Sequence, residues 1–477
     1  MDLVDVVEGR RHRDGVPSPS TVRLFPSTVR LFPSTVRPFA SSVRLFSSTV
    51  RPYPGIVERG SVIAGPAAVA SGVTRTVSST CAPTPRPGYP GDMRTGSPDL
   101  DNAEELISAD VDGLLRAVAL AGAQVRAVAE AVREGVLAPL ADLRPRSVVV
   151  VHGSSGVSHR ATDFAVATLA ARVDVPVVSG PVLPGWIGPL DVVIVAGDDA
   201  GDMALADAAA RALRRRAEVV VLAPVAGPLQ DALGGNGINL APRFDIEPRF
   251  RFVGFAAALL AVFGALTQVR FTGSVPALDD LADALDAEAS TGHPARDAFH
   301  NRAKSLALRV QGRPTVWTAD SPAGAAIARH AVAGLVGLSG IVSAAAELAD
   351  VSRMVQLLEA RPDSGPAVDS IFYDPDFDGP PPAPAPRVQV VSTGRREWYT
   401  RQRVTGLGEV DVLVGADRAE QTSAAGGTDG REWDDRRPAP GEDPVADGPG
   451  DVLDFLVVAL RVEMAAVYLR LVGNAMQ

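Results

Sequence analysis

The stretch Ser147-Val-Val-Val-Val151, followed by His152-Gly-Ser-Ser-Gly156, decides the fold of this chain. A short run of β-branched residues that ends in a Gly/Ser turn and leads into a helical pattern, here over 159–172, is typical of a buried parallel strand. The same alternation continues along the chain. Further strands are predicted at 175–178, 190–195 and 219–222, with a helix predicted at 202–215. Short apolar strands that alternate with helices predict a doubly wound, flavodoxin-like parallel sheet.

The chain before residue 99 differs in composition and contains a repeat. Ser-Thr-Val-Arg-Leu-Phe-Pro occurs at 20–26 and again at 27–33, and decayed copies continue to residue 54. Proline or serine interrupts each period where a helix needs a continuous series of donors. We therefore predict that 1–98 is a disordered, repeat-containing tail and linker, produced by repeat expansion or by translation from an early start codon. A basic tail that contacts an acidic partner is the alternative.

Two α/β domains are predicted after this tail. The first, 99–277, opens with one or two Ala/Leu-rich helices over 106–141, for which Ser108 and Asp110 are candidate caps, and closes with a buried helix at 250–266. The second domain is predicted over 278–477. Its features are strands at 314–317, 388–391 and 410–414, a flexible insertion at about 422–450, and an amphipathic closing helix at 452–472.

Composition excludes several classes of protein. The net charge of −10 argues against nucleic acid as the main partner. The first twenty residues lack an apolar core, so no secretory signal is expected, and the longest apolar run, 253–266, is too short to cross a bilayer. Cys81 is the single cysteine, which excludes an intramolecular disulfide and a Cys-based zinc site. We expect a cytoplasmic protein that binds no membrane, metal or cofactor.

The loop 152–158 is the first candidate ligand site. Ligands of doubly wound sheets bind beyond the carboxyl ends of the strands. Gly153, Ser154, Ser155 and Ser158 bring hydroxyls and amides to a helix N-terminus, which suits a phosphate group. The alternative is a structural turn in which serine caps the helix.

The loop 196–202 is the second candidate site, and it is acidic. Asp198, Asp199 and Asp202 suit a divalent metal or sugar hydroxyls. The alternative, which we favour, is that these side chains cap and neutralise the following helix. Phosphate binding is disfavoured in this loop because carboxylates repel it.

The segment 301–317 carries a family resemblance. Its matching positions are Asn301, Ala303, Lys304, Leu306, Ala307, Gly312 and Pro314. It resembles the inter-domain helix and following strand of the bifunctional phosphoglucose/phosphomannose isomerases, which are built from sugar-isomerase (SIS) domains. Together with 183–195 and 241–243, it is similar to an actinobacterial branch of that family. The resemblance covers about 99–415 and the last helix.

This resemblance implies two SIS domains that bind a phosphorylated hexose between the subunits of a homodimer. Active members interconvert aldose and ketose phosphates through a cis-enediol, and they need a carboxylate base, a histidine and a Ser/Thr-rich phosphate cradle. Two departures stand out. The loop 196–201 lacks the family's hydroxyls, and the helix at 323–337 lacks its base glutamate. His330 on that helix and Glu347 after it remain the candidate catalytic residues, although a lone histidine on an Ala-rich helix is commonly a packed residue.

Three functions stay open at this point. One is a working sugar-phosphate isomerase with rearranged residues. The second, which we favour, is a degenerate SIS protein that binds a sugar derivative or a partner without catalysis. A nucleotide-binding protein that uses the loop 152–158 is the third, and the absence of a Gly-rich fingerprint opposes it.

Overall fold

The computed structural model describes residues 99–273, 275–359, 386–415 and 449–473. The predicted tail, 1–98, lies outside the described residues. So does the predicted insertion, except for Pro449 and Gly450, which begin the last helix. The described residues fall within one contact unit, Tyr89–Gln477.

The first domain is a five-stranded parallel sheet between helices, in the strand order β2-β1-β3-β4-β5. Its elements are α1 (Ala103–Ala109), α2 (Leu114–Ala119), α3 (Ala121–Arg133), β1 (Ser147–Val151), α4 (Gly156–Leu169), β2 (Val177–Gly180), β3 (Asp191–Val195), α5 (Met203–Arg214), β4 (Glu218–Val221), α6 (Gly227–Leu233), β5 (Ile238–Asn239) and α7 (Phe252–Ala265). Helix α8 (Leu278–Thr291), which packs against α3, begins the part of the chain that is predicted as the second domain. This strand order is the flavodoxin-like one, whose crevice lies between the first and third strands.

The valine runs of β1 and β3 form the centre of this sheet, and every residue in them is buried. Because strand side chains alternate between faces, Val148 and Val150 contact one apolar layer while Val149 and Val151 contact the other. Both faces are therefore covered, which explains why these strands read as continuous apolar runs.

The second domain repeats the topology with four parallel strands in the order β7-β6-β8-β9. Its elements are α9 (Arg302–Val310), β6 (Thr315–Ala319), α10 (Pro322–Ser339), β7 (Ala344–Ala345), α11 (Leu348–Glu359), β8 (Arg387–Val391), α12 (Glu397–Arg403), β9 (Val410–Leu413) and α13 (Pro449–Gly473). The pair β6–β8 occupies the place that β1–β3 occupies in the first domain. The predicted fold class, two doubly wound α/β domains, is confirmed.

The closing helix α13 differs from its predicted amphipathic character. Its residues are buried on all sides along most of its length, including Phe455, Leu460 and Tyr468. The helix packs against α8, α9 and α10, and also contacts α2 near the start of the described chain. A helix that is surrounded by other helices has no solvent face, so the prediction of an amphipathic helix was wrong.

The other predicted elements are confirmed to within a few residues, and the differences have local causes. The region 106–141 contains three helices because Asp110 interrupts the first and begins the second: its carboxylate accepts hydrogen bonds from the amides of Leu114 and Leu115, both at 2.8 Å. Ser108 donates instead to the carbonyl of Glu105. Strands β5 and β7 were not predicted, since each has only two residues. None of the described helices combines the length and hydrophobicity that a membrane crossing requires.

Candidate functional site

The crevice of the first domain lies where β1 and β3 end, and two loops meet there. The chain leaves β1 through the loop 152–155 and leaves β3 through the loop 196–202. The amide of Ala196 donates to the carbonyl of Val151 at 2.9 Å, which holds the two loop origins side by side. The structure thus brings together both loops that the sequence singled out.

Asp202 links these two loops. Its Oδ2 accepts hydrogen bonds from the amide of Ser154 at 2.8 Å and from its Oγ at 2.7 Å. Its Oδ1 accepts from the amide of Ala204 at 2.8 Å, so Asp202 also caps α5. Burial raises the pKa of Asp202, but the hydrogen bonds from Ser154 and the helix amides outweigh burial, and the pKa lies below its ordinary value. The predicted capping role is confirmed for Asp202.

The remaining residues of the predicted phosphate cradle are largely committed to the turn. Ser155 caps α4, because its Oγ accepts from the amide of Ser158 at 3.2 Å. The Oγ of Ser158 donates to the carbonyls of His152 and Ser155, each at 3.3 Å. Gly153 has a φ of +55°, and a Cβ there would press on Asp202 Oδ2 and lie 2.9 Å from Leu205 Cγ. Phosphate binding by this loop stays a prediction.

A cation lies beside this turn. Arg160 is half-buried on α4, and its Nη1 would be 3.2 Å from a Cβ added at Gly156, the first residue of the helix. No acidic residue occurs in the first turn of α4. Burial lowers the pKa of Arg160, while the nearby carboxylates of Glu463 and Asp198 act to raise it. The start of α4 therefore combines helix amides with a guanidinium group.

Arg160 also contacts His330, which lies in the core on α10. The Nε of Arg160 donates to His330 Nδ1 at 3.4 Å, and His330 Nε2 lies 2.9 Å from Glu463 Oε1 on α13. Since Nδ1 accepts from Arg160, the proton belongs on Nε2, from which it is donated to Glu463. The ring of Phe252 stacks on the imidazole with centroids 3.9 Å apart. Burial lowers the pKa of His330, although Glu463 opposes the shift.

Glu463 was missed by the sequence reasoning. A visible signal existed, because Arg461 and Glu463 interrupt the apolar stretch 455–469 of this helix, and charges buried in such a stretch require partners. Arg461 finds its partner in Glu288, with Nε and Oε1 2.6 Å apart.

Glu347, the other candidate catalytic residue, is exposed and lies between β7 and α11. Its main-chain carbonyl accepts from the amides of Asp350 and Val351 at the start of α11. Within the described ranges, no hydrogen bond joins Glu347 to His330, and its catalytic role stays a prediction.

The corresponding crevice of the second domain was also missed. Asp320, which follows β6, accepts through Oδ2 from Arg396 Nε at 3.1 Å and from Thr400 Oγ1 at 2.8 Å. The amide of Gly394, after β8, donates to Asp454 Oδ2 on α13 at 2.7 Å. The carboxylates of Asp320 and Asp454 thus accept from the side-chain and main-chain donors of this crevice. In the part of the chain that the structure describes, no group of three or more His, Cys, Asp or Glu is placed to hold a metal ion.

Comparison with known proteins yields similarity in structure only. No protein-family profile and no curated protein matches the chain. A hypothetical protein from Thermus thermophilus is 12% identical with a TM-score of 0.50, covering 79% of this chain and 90% of its own. The tagatose-6-phosphate ketose/aldose isomerase of Escherichia coli is 14% identical (TM-score 0.42; 77% and 92% covered). The C-terminal domain of the Francisella tularensis glucosamine-fructose-6-phosphate aminotransferase is 9% identical (TM-score 0.46; 79% and 98% covered). At such identities, the likeness to the Thermus protein supports the two-domain α/β fold and nothing further.

Proposed function

We propose that this chain is a non-catalytic SIS-type protein that binds a phosphorylated sugar at the start of α4. Its doubled flavodoxin-like topology and the resemblance of 301–317 to the phosphoglucose/phosphomannose isomerases support the class. The sugar is a hexose phosphate, the ligand that this resemblance implies.

The position of Arg160 carries the binding proposal. A helix N-terminus bears partial positive charge, so an anion that joins it to a neighbouring guanidinium is favoured. A phosphate accepts hydrogen bonds from first-turn amides and from a guanidinium at once. The amides of Gly156 and Val157 and the side chain of Arg160 supply those donors.

The environment of His330 and Glu463 supports the loss of catalysis. Transfer of a proton between the C1 and C2 carbons of a sugar requires a base within hydrogen-bond reach of substrate. His330 and Glu463 are both buried, and each is hydrogen-bonded to the other. His330 further accepts from Arg160. A base held in this way lies in the core, behind the guanidinium that would face the phosphate.

A homodimer in the cytoplasm completes the proposal. The loop 181–190 supplies an apolar surface for self-association, since Val182, Trp186 and Leu190 are exposed on it. Sedimentation velocity on the full chain, with Trp186→Ser as the test variant, checks this part.

Calorimetry and a coupled assay on the full chain test the proposal. We expect saturable binding of glucose 6-phosphate or mannose 6-phosphate without any conversion to fructose 6-phosphate. Arg160→Met, which keeps the aliphatic stem and removes the charge, should weaken binding about tenfold or more. Arg214→Met is the matched control, because Arg214 is exposed at the far end of α5 and should not affect binding.

Two results would contradict the proposal. If wild type and Arg160→Met bind the hexose phosphate equally well, the start of α4 is not the anion site. Turnover that is abolished by Glu463→Gln, His330→Ala or Glu347→Ala would establish a working isomerase.

A further inference from the structure

A glycine-rich turn, Gly234-Gly235-Asn236-Gly237, joins α6 to the edge strand β5. Its three glycines have φ values of +55°, +81° and +88° in chain order, in the left-handed region that glycine adopts without steric cost. All four residues are exposed. The backbone can therefore rotate on both sides of Asn236, and water reaches its side-chain amide.

The main-chain nitrogen of Gly237 carries a free N–H beside this amide. The amide of Leu240 donates to the carbonyl of Val221 at 2.9 Å, so alternate amides of this segment face β4. The amide of Gly237 faces the other way, and it donates no hydrogen bond among the described residues. Because glycine has no side chain, the approach to this nitrogen is unhindered.

The side-chain amide of Asn236 is held weakly. Its Nδ2 donates to the carbonyls of Leu233 at 3.1 Å and of Gly234 at 3.4 Å. Both distances exceed the usual value of about 2.9–3.0 Å for an N–H···O hydrogen bond. An exposed side chain can exchange such bonds for bonds to water, which frees Asn236 Cγ to turn toward the nitrogen of Gly237.

We propose that Asn236 is a site of spontaneous deamidation. The deprotonated nitrogen of Gly237 attacks Asn236 Cγ, so that a bond between this nitrogen and Cγ forms and the bond between Cγ and Nδ2 breaks. Nδ2 takes up a proton from water and leaves as ammonia. A water molecule then hydrolyses the resulting succinimide ring at either of its carbonyls, which gives aspartate or isoaspartate at this position.

This conversion removes a cap from α6. The Asn236 amide donates to the carbonyl of Leu233, the last residue of the helix. A carboxylate at neutral pH has no hydrogen to donate, and the negative end of the helix dipole repels its charge. Deamidation therefore replaces a favourable contact at the end of α6 by an unfavourable one.

Asn239 provides a control within the same segment. It is exposed as well, but the amide that would attack it belongs to Leu240 and is hydrogen-bonded to Val221. The side chain of Leu240 is buried, which further restrains this amide. We expect Asn239 to remain an asparagine under conditions in which Asn236 is converted.

Incubation of the full chain at pH 6 and at pH 8, followed by peptide mass spectrometry and isoaspartate methyltransferase labelling, tests the proposal. The peptide that contains Asn236 should gain aspartate and isoaspartate, and faster at pH 8, because hydroxide deprotonates the amide of Gly237. Asn236→Gln should give no product at this position, since its longer side chain cannot close the same ring.

Asn236→Asp tests the loss of the cap. It should lower Tm by roughly 1–2 °C, because it removes the donor to Leu233 and adds a negative charge at the end of α6. Asn239→Asp is the matched control. It adds the same charge but keeps an oxygen that accepts from the amide of Ala241, so its Tm should equal that of wild type.

The urea-denatured chain gives the reference rate of conversion. If the denatured chain is converted at Asn236 and the folded protein is not, the turn is too rigid for the reaction and the proposal is wrong. Equal rates at Asn236 and Asn239 in the folded protein, or a rate that does not rise with pH, would also overturn it. An unchanged Tm in Asn236→Asp would overturn the loss of the cap.

Discussion

The two domains share a strand order but treat the crevice between their first and third strands differently. In the first domain the acid that closes the crevice, Asp202, comes from the same domain and accepts from a serine in the neighbouring loop. The cation nearby, Arg160, is hydrogen-bonded to a neutral histidine. In the second domain Asp320 and Arg396 pair with each other in the core, and Asp454 of the closing helix accepts from the loop amide of Gly394.

This difference indicates where a ligand can be accommodated. The ion pair balances the charges of Asp320 and Arg396, so this pair does not favour an added anion, although Asp320 Oδ1 is buried without a hydrogen-bond partner among the described residues. The first crevice keeps a guanidinium at a helix start, and the nearby carboxylate of Asp202 accepts from Ser154 and from the start of α5. The two domains thus contain one crevice closed by an internal ion pair and one for which we propose an anionic ligand.

The largest expected effect tests the crevice that the ion pair closes. Asp320→Ala removes a buried carboxylate that accepts from Arg396, whose side chain is 8% exposed, and from Thr400. We expect a loss of about 3–5 kcal/mol in the free energy of unfolding, measured by urea denaturation. Asp350→Ala is the control: its pair with Arg353 is exposed, so the loss should be about 0–1 kcal/mol. An equal loss in the free energy of unfolding of the two variants would mean that the Asp320–Arg396 ion pair does not stabilise the second crevice.

A second substitution tests how closely Asp202 packs in the first crevice. Gly153→Ala places a methyl group against Asp202 and Leu205 at a positive φ, and we expect a loss of about 2–3 kcal/mol. Gly113→Ala has a similar φ of +68° with nothing within 4 Å, so it should cost only the left-handed backbone term of about 1–2 kcal/mol. The difference between the two variants isolates the contact. If both lose the same amount, the two loops separate easily and the crevice is more open than its hydrogen bonds indicate.

The sequence predicts the features of this molecule that depend on local interactions better than those that depend on contacts between distant residues. Runs such as Ser147–Val151 and Asp191–Val195 identify their own strands, because burial on both faces demands continuous apolar residues. Asp202 as a helix cap was also predictable from local chemistry. The His330–Glu463 contact spans 133 residues and depends on the closing helix passing between the domains. No local pattern specifies such a pair, which is why His330 was named without its partner.

His330 contacts Arg160 on α4 and Glu463 on α13, and it should make the stability of the protein depend on pH. Its folded pKa lies below the ordinary value because burial disfavours the cation. The unfolded chain therefore binds a proton below about pH 6.5 that the folded chain does not. The free energy of unfolding should decrease as the pH is lowered below this value, by up to about 1.4 kcal/mol per pH unit. In His330→Gln this slope should shrink, whereas His300→Gln, which alters an exposed histidine, should keep it. A wild-type slope that persists in His330→Gln would assign the pH dependence to other groups.

The smallest expected effect is that of Asp202→Asn, which tests whether the Asp202 carboxylate weakens the binding of a phosphate in the first crevice. Asp202→Asn keeps an oxygen that can cap α5 but removes the charge that accepts from Ser154, so we expect a loss of about 0.5–1 kcal/mol at pH 7. Because the folded pKa of Asp202 is lowered, this difference from wild type should be complete above about pH 4 and disappear as the pH falls through that lower value. Asp231→Asn, on the exposed side of α6, is the control and should show neither change. In the same variant the affinity for glucose 6-phosphate should rise several-fold, since one carboxylate fewer repels the phosphate. A fall in affinity would mean that Asp202 positions Ser154 for the ligand, and the first crevice would then depend on its carboxylate as the second depends on Asp320.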